Sequence, residues 1–122
     1  MEILPNGMER IDRKDGGYDY SAVDIVVDAI VEDFSPWMIV IFGSVARGTA
    51  DGNSDLDLLV VMDSDKPHAV RSAEIQLALW KRDLLLDEDI IVITPEEFER
   101  KKDDEHSFIN DILNTGVIAY KA

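Results

Sequence analysis

The sequence predicts an α/β domain, on three observations: two long segments carry apolar residues at helical spacing, three short runs have the length and β-branching of buried strands, and the two kinds alternate along the chain. A two-layer or three-layer sandwich is the packing that lets each element bury its apolar side. Alternation alone does not say whether the strands run parallel or mixed. With 122 residues there is room for one compact domain, and 46% hydrophobic residues can build its core.

Residues 1–18 contain Asn6-Gly7 and Gly16-Gly17, so a short hairpin or a loose arm is expected there, ahead of a domain over residues 19–122. From about Tyr20, apolar residues at Val23, Ile25, Val26, Ala29, Ile30 and Phe34 give one buried helical face, which Ser35-Pro36 ends because proline lacks an amide hydrogen and disfavours helix before it. Residues 37–42 read as a buried strand, and Gly43-Ser44 opens a turn or short helix reaching Gly48. A polar loop over 49–54 leads into a second strand over 55–62, apolar on both sides beyond Asp57. Val70, Ala73, Ile75, Leu77 and Leu79 mark a second long helix over 68–80.

A third strand is expected over 89–93, and Thr94-Pro95-Glu96-Glu97 is a helix start: a cap, proline at the first position, acids in the first turn. The charged run 101–105 reads as a solvated connection between helices. Ile109, Ile112, Leu113, Val117 and Ile118 give near-helical spacing over 108–120, loosened by Gly116. Trp37 and Trp80 are expected in the core, and the isolated His68 and His106 are given no metal-binding role.

The chain has no cysteine, which excludes disulfides, thiolate-bound zinc and thiol catalysis and points to a reducing cytoplasm. The opening residues show no basic segment followed by an apolar one, so no signal peptide is expected; no apolar stretch approaches a membrane span. A net charge of −14 disfavours broad nucleic-acid binding, which needs Lys and Arg against phosphates, and suits metal ions or a basic protein partner as well as solubility. Neither a Walker motif nor Gly-x-Gly-x-x-Gly is present.

The informative region is Gly43-Ser44-Val45-Ala46-Arg47-Gly48, followed by Ser54-Asp55-Leu56-Asp57. Strand side chains repeat with period two, so Asp55 and Asp57 point to one face. Two like charges about 4 Å apart repel by roughly 4 kcal/mol at an effective dielectric near 20. A divalent cation between them removes that cost, and Mg²⁺ favours such hard oxygen ligands together with waters and substrate phosphates. Gly43 lets a phosphate approach the backbone, Ser44 offers a hydroxyl and an amide, and a helix beginning there presents free amide hydrogens to an anion. Arg47, one turn on, can bond phosphate or pin the acidic loop.

This order resembles the DNA polymerase β-like nucleotidyltransferase superfamily, whose signature is Gly-Ser, a spacer near ten residues, then Asp-x-Asp. Here ten residues separate Gly43-Ser44 from Asp55-Leu56-Asp57. The fuller forms, Gly-Ser-x-Ala-Arg-Gly and Ser-Asp-x-Asp-Leu, are similar to the minimal nucleotidyltransferases of prokaryotes, and the likeness runs from about Ile41 to Tyr120. It implies a small mixed β-sheet flanked by helices, and a third carboxylate from the next strand, placed at Asp89 with Asp87 as rival one pleat earlier. It also implies Asp55, Asp57 and Asp89 as catalytic residues and ligands of two Mg²⁺ ions, and Gly43, Ser44 and Arg47 as the nucleotide-binding set.

The implied reaction moves AMP from ATP onto a hydroxyl. The implied partner is a small helical HEPN protein, often an RNase toxin, which the chain would neutralise as antitoxin by modifying a tyrosine. A contact-only binding module with a vestigial site is the alternative. A phosphoacceptor receiver domain fits poorly, because such domains carry an acidic pair at the end of their first strand, where this chain has Phe42-Gly43-Ser44.

Overall fold

The computed structural model describes residues 2–3, 9–10, 21–50, 55–84 and 88–122. The elements are β1 (Glu2–Ile3), β2 (Glu9–Arg10), α1 (Ser21–Phe34), β3 (Met38–Phe42), α2 (Gly43–Arg47), β4 (Leu56–Val61), α3 (His68–Lys81), β5 (Glu88–Ile93), α4 (Pro95–Lys101), α5 (Phe108–Thr115) and β6 (Val117–Lys121). β1 and β2 pair antiparallel; the Asn6-Gly7 turn lies outside the described residues. The other four strands form one mixed sheet in the order β5-β4-β3-β6, antiparallel except for the parallel pair β4–β5.

The continuous apolar runs have two faces to cover, and period-two alternation divides them. Ile39, Ile41, Leu56, Leu58, Val60, Ile90 and Val92 point to one side, where Val23, Val26, Val27 and Ile30 of α1 and Ile75 and Leu79 of α3 cover them. Met38, Val40, Phe42, Leu59, Val61 and Ile93 point to the other, against Ile109 and Ile112 of α5, with Phe98 of α4 packed beside them. The result is a three-layer α/β arrangement. Each fully buried Leu or Ile stabilises it by roughly 1.5–3 kcal/mol.

α1 ends as expected: Ser35 takes a positive φ of 47° and Pro36 follows. Thr94 caps α4, and its hydroxyl accepts from the amide of Glu97 while the Glu97 carboxylate accepts from the amide of Thr94. The two bonds satisfy two helix-start donors reciprocally. The solvated connection after Lys101 is tied by the Ser107 hydroxyl donating to the Lys101 carbonyl and the Asn110 amide donating to that of Lys102.

Three expectations fail. Ile25, expected on the buried face of α1, is 53% exposed, because its helical phase places it opposite Val23, Val26, Val27 and Ile30. Residues 117–121 continue no helix: α5 stops at Thr115 and the chain turns into β6 alongside β3. Gly116 makes the turn where a Cβ would meet the carbonyl oxygens of Ile112 at 2.6 Å and Ile41 at 2.7 Å. Leu113, Val117 and Ile118 suit either period, and the ladder hydrogen bonds beside β3 decide for the strand. The tryptophans are not core residues. Trp37 is 56% exposed just before β3, its indole N–H donating to Asp63, and Trp80 is 63% exposed on a face of α3 turned from Ile75 and Leu79. Val70 and Leu77 are exposed on α3 as well. Among the described residues, no helix is long and apolar enough to cross a membrane.

Candidate active site

The site begins where β3 gives way to α2. Gly43 has a φ of +71°, and a Cβ there would collide with Oδ2 of Asp57 and stand 3.0 Å from its Cγ. Glycine is needed twice over, for the left-handed backbone and for the space. The corner thus presses bare backbone against a carboxylate. No side chain caps the start of α2, where Ser44 sits half-buried; Arg47 is exposed in its last turn, and Gly48 closes it in the left-handed conformation.

Strand register brings the acids to this corner. Asp57 is the cross-strand partner of both Phe42 on β3 and Asp89 on β5. Alternation places Asp57 with Leu59 and Val61, and Asp89 with Ile91 and Ile93, so both carboxylates share the sheet face that α4 and α5 cover further along. Asp55 lies one pleat before Asp57 and, like Asp89, is exposed. Asp87 lies outside the described residues.

Electrostatics tie the group together. Burial pushes the Asp57 carboxyl up, the charges of Asp89 and Asp55 push it further, and Arg47 pulls it down without prevailing. Among the described residues, no three acidic or imidazole groups close into a preformed metal cage. Asp55 and Asp89 flank Asp57 as exposed carboxylates. The donor set is hard oxygen throughout, with Asp57 packed directly against the Gly43 backbone, and it fits a divalent cation that shares its shell with phosphate.

An acid elsewhere shows the opposite treatment. Burial also acts on Glu97, but the Thr94 amide, the Arg71 guanidinium and the Thr94 hydroxyl outweigh it and hold the carboxyl at about 2. Arg71 donates to Glu97 at 2.8 Å, and His68 lies 3.2 Å from its other oxygen. His68, isolated in the sequence, therefore belongs to a structural network.

Sequence reasoning missed one neighbour of the site. Phe108, the first residue of α5, is 55% exposed and meets Phe42 edge to face, with centroids 5.8 Å apart and planes at 88°. Helical phase gave no signal, since Phe108 and Ile112, four residues apart, share a face of α5; the exposure goes with its place as the first residue of the helix.

Residues 23–119 match the family model described as nucleotidyltransferase domain. A solved structure from Sulfolobus solfataricus, of a protein described there as a candidate nucleotidyltransferase, is 27% identical, covers 68% of this chain and 73% of its own, and superposes with a TM-score of 0.45. No protein of curated function matches. The matched span runs from the first turn of α1 into β6 and takes in Gly43, Ser44, Arg47, Asp55, Asp57 and Asp89, and on that match the chain belongs to the nucleotidyltransferase domain family, whose chemistry is nucleotidyl transfer.

Proposed function

We propose that the chain transfers a nucleoside monophosphate, AMP from ATP, onto a hydroxyl group, with Asp55, Asp57 and Asp89 holding two Mg²⁺ ions. The observation that carries this reading is the Asp57 carboxyl, raised by burial and by two neighbouring acids, packed against a strand-to-helix corner that only Gly43 lets it approach. A fold keeps such repulsion where a ligand relieves it.

In the reaction, the acceptor oxygen forms a bond to the α-phosphorus, the bond from that phosphorus to the bridging oxygen breaks, and pyrophosphate leaves with the electron pair. Asp89 accepts the hydroxyl proton. The backbone amides at Gly43 and Ser44 and the Ser44 hydroxyl hold the β- and γ-phosphates, and Arg47 adds a charge-assisted bond. Bound Mg²⁺ would neutralise phosphate charge and lower the pKa of the attacking hydroxyl. Positioning and charge neutralisation do the rest, so no nucleophilic side chain is required.

For acceptor, we propose a tyrosine of a HEPN-type RNase toxin, which makes the chain a cytoplasmic antitoxin. The net charge of −14 supports a basic, RNA-cutting partner. Incubation with Mg²⁺, each nucleoside triphosphate and the HEPN-type protein encoded beside it, followed by intact mass measurement, tests the reading. An AMP-sized gain on the partner is expected; no gain with any nucleotide overturns it.

One observation favours a second reading, neutralisation by contact alone. Val70, Leu77 and Trp80 stand exposed on α3 at spacings of a helix-pairing stripe. The paired substitution Asp55→Asn with Asp57→Asn separates the two: transfer predicts lost neutralisation, contact predicts none lost.

A further inference from the structure

We propose that Phe108 is the platform on which the base of the donor nucleotide stacks. The assignment rests on the nucleotidyl-transfer reading above and adds to it the residue that grips the nucleoside.

Three exposed aromatic side chains are found among the described residues, and two are remote from the carboxylates. Trp37 precedes β3 at the opposite end from Gly43, and Trp80 lies on α3, across the sheet. Phe108 alone stands on the carboxylate face at the glycine end. The chain of neighbours is short. Asp57 and Phe42 are cross-strand partners, so their Cβ atoms stand about 5 Å apart on one face. Phe42 in turn meets the ring of Phe108. One ring therefore separates Phe108 from the central carboxylate.

The ring is held in place before any ligand arrives. Ser107 caps α5 by accepting from the Asn110 amide at 3.0 Å, and its hydroxyl donates to the Lys101 carbonyl at 2.7 Å. The Asn110 side chain donates to the Lys102 carbonyl at 2.8 Å. Phe42 supplies an edge-to-face partner that fixes the ring while leaving more than half of the residue open. A preorganised, exposed aromatic has already lost the freedom that binding would otherwise remove.

Lateral order across the sheet assigns the ligand. Asp89 on β5, which takes the acceptor proton, lies on one side of Asp57; Phe42 on β3, followed at once by the phosphate corner, lies on the other. Phe108 is thus on the donor side. Every base offers a π face, so stacking here favours nucleotides over bare triphosphate and discriminates weakly among bases.

Calorimetric titration with Mg²⁺ and two probes, α,β-methylene-ATP and inorganic tripolyphosphate, tests this. Phe108→Ala should weaken nucleotide binding about tenfold and leave tripolyphosphate binding unchanged, which also certifies the fold; Phe108→Trp should restore the nucleotide. Unchanged nucleotide binding in Phe108→Ala, or an equal loss of both probes, overturns the stacking assignment while transfer stands. Should Phe108→Ala fail to fold, Phe108→Leu carries the same comparison. A wild-type chain that binds neither probe overturns the transfer reading itself.

Discussion

The two ends of the β4–β5 pair handle acidic side chains in opposite ways. Just beyond the C-terminal end of β5, Glu97 is surrounded by the Thr94 amide and hydroxyl, Arg71 and His68, and its carboxyl is held at about 2. Arg71 also donates to the carbonyls of Lys66 and Val92, so α3, β5 and α4 are locked at one point. At the other end, burial and the charges of Asp89 and Asp55 raise Asp57, and the charge of Arg47 does not offset them. Among the described residues, one carboxylate is stabilised by its neighbours and the other is destabilised by them. The contrast is the physical ground for proposing Asp57, and not Glu97, as a functional acid.

Removing the frustrated acid should give the largest effect. Asp57→Asn is expected to lower transfer by about a thousandfold or more while raising the midpoint of metal-free unfolding by roughly 2 °C, after discounting for solvent screening. Thermal scans beside a transfer assay check both signs, and a destabilised variant would break the comparison. Gly43→Ala, by forcing a methyl into the Asp57 carboxylate from a left-handed backbone, should lower transfer by about a hundredfold and also destabilise. The opposite end should behave conversely. Glu97→Gln is expected to cost about 1–2 kcal/mol, or roughly 5 °C, with kcat retained below the new midpoint.

Acidification sharpens the same contrast. Glu97 titrates lower in the folded chain than its ordinary 4.5, so the stability it supplies is complete above that value and lost as pH falls toward about 2. Asp57 is raised, so its ionised form penalises folding, and protonation on acidification relieves the penalty. Unfolding midpoints of metal-free wild type, Glu97→Gln and Asp57→Asn between pH 7 and 3 should therefore diverge: Glu97→Gln loses less than wild type, and the advantage of Asp57→Asn disappears. The smallest effect concerns Mg²⁺, which should raise the wild-type midpoint by a few degrees, roughly as mass action allows, and leave Asp57→Asn unmoved.

Much of this was legible in the sequence, for reasons that differ by element. β3 and β4 announced themselves because apolar runs of that length with both faces buried have few alternatives. The Gly43-Ser44 turn and Asp55-x-Asp57 were legible because a glycine-opened turn and strand parity are local properties, whereas the left-handed backbone at Gly43 came only with the structure. β6 was not, since residues 117–121 fit two periods and only the place beside β3 chooses between them. The tryptophans misled because large aromatics usually fill cores, and their phase relative to Ile75 and Leu79, or to the end of β3, was the better guide. The Glu97 network and the Phe42–Phe108 contact join residues far apart in the chain, and no spacing rule reports them.

The central claim is that Asp55, Asp57 and Asp89 form one metal-dependent nucleotide site. Counting Mn²⁺ bound per chain by electron paramagnetic resonance, with ATP present, addresses it directly. Two ions per chain are expected for wild type and none above background for the variant carrying Asp55→Asn, Asp57→Asn and Asp89→Asn. Equal binding by the two proteins would contradict it.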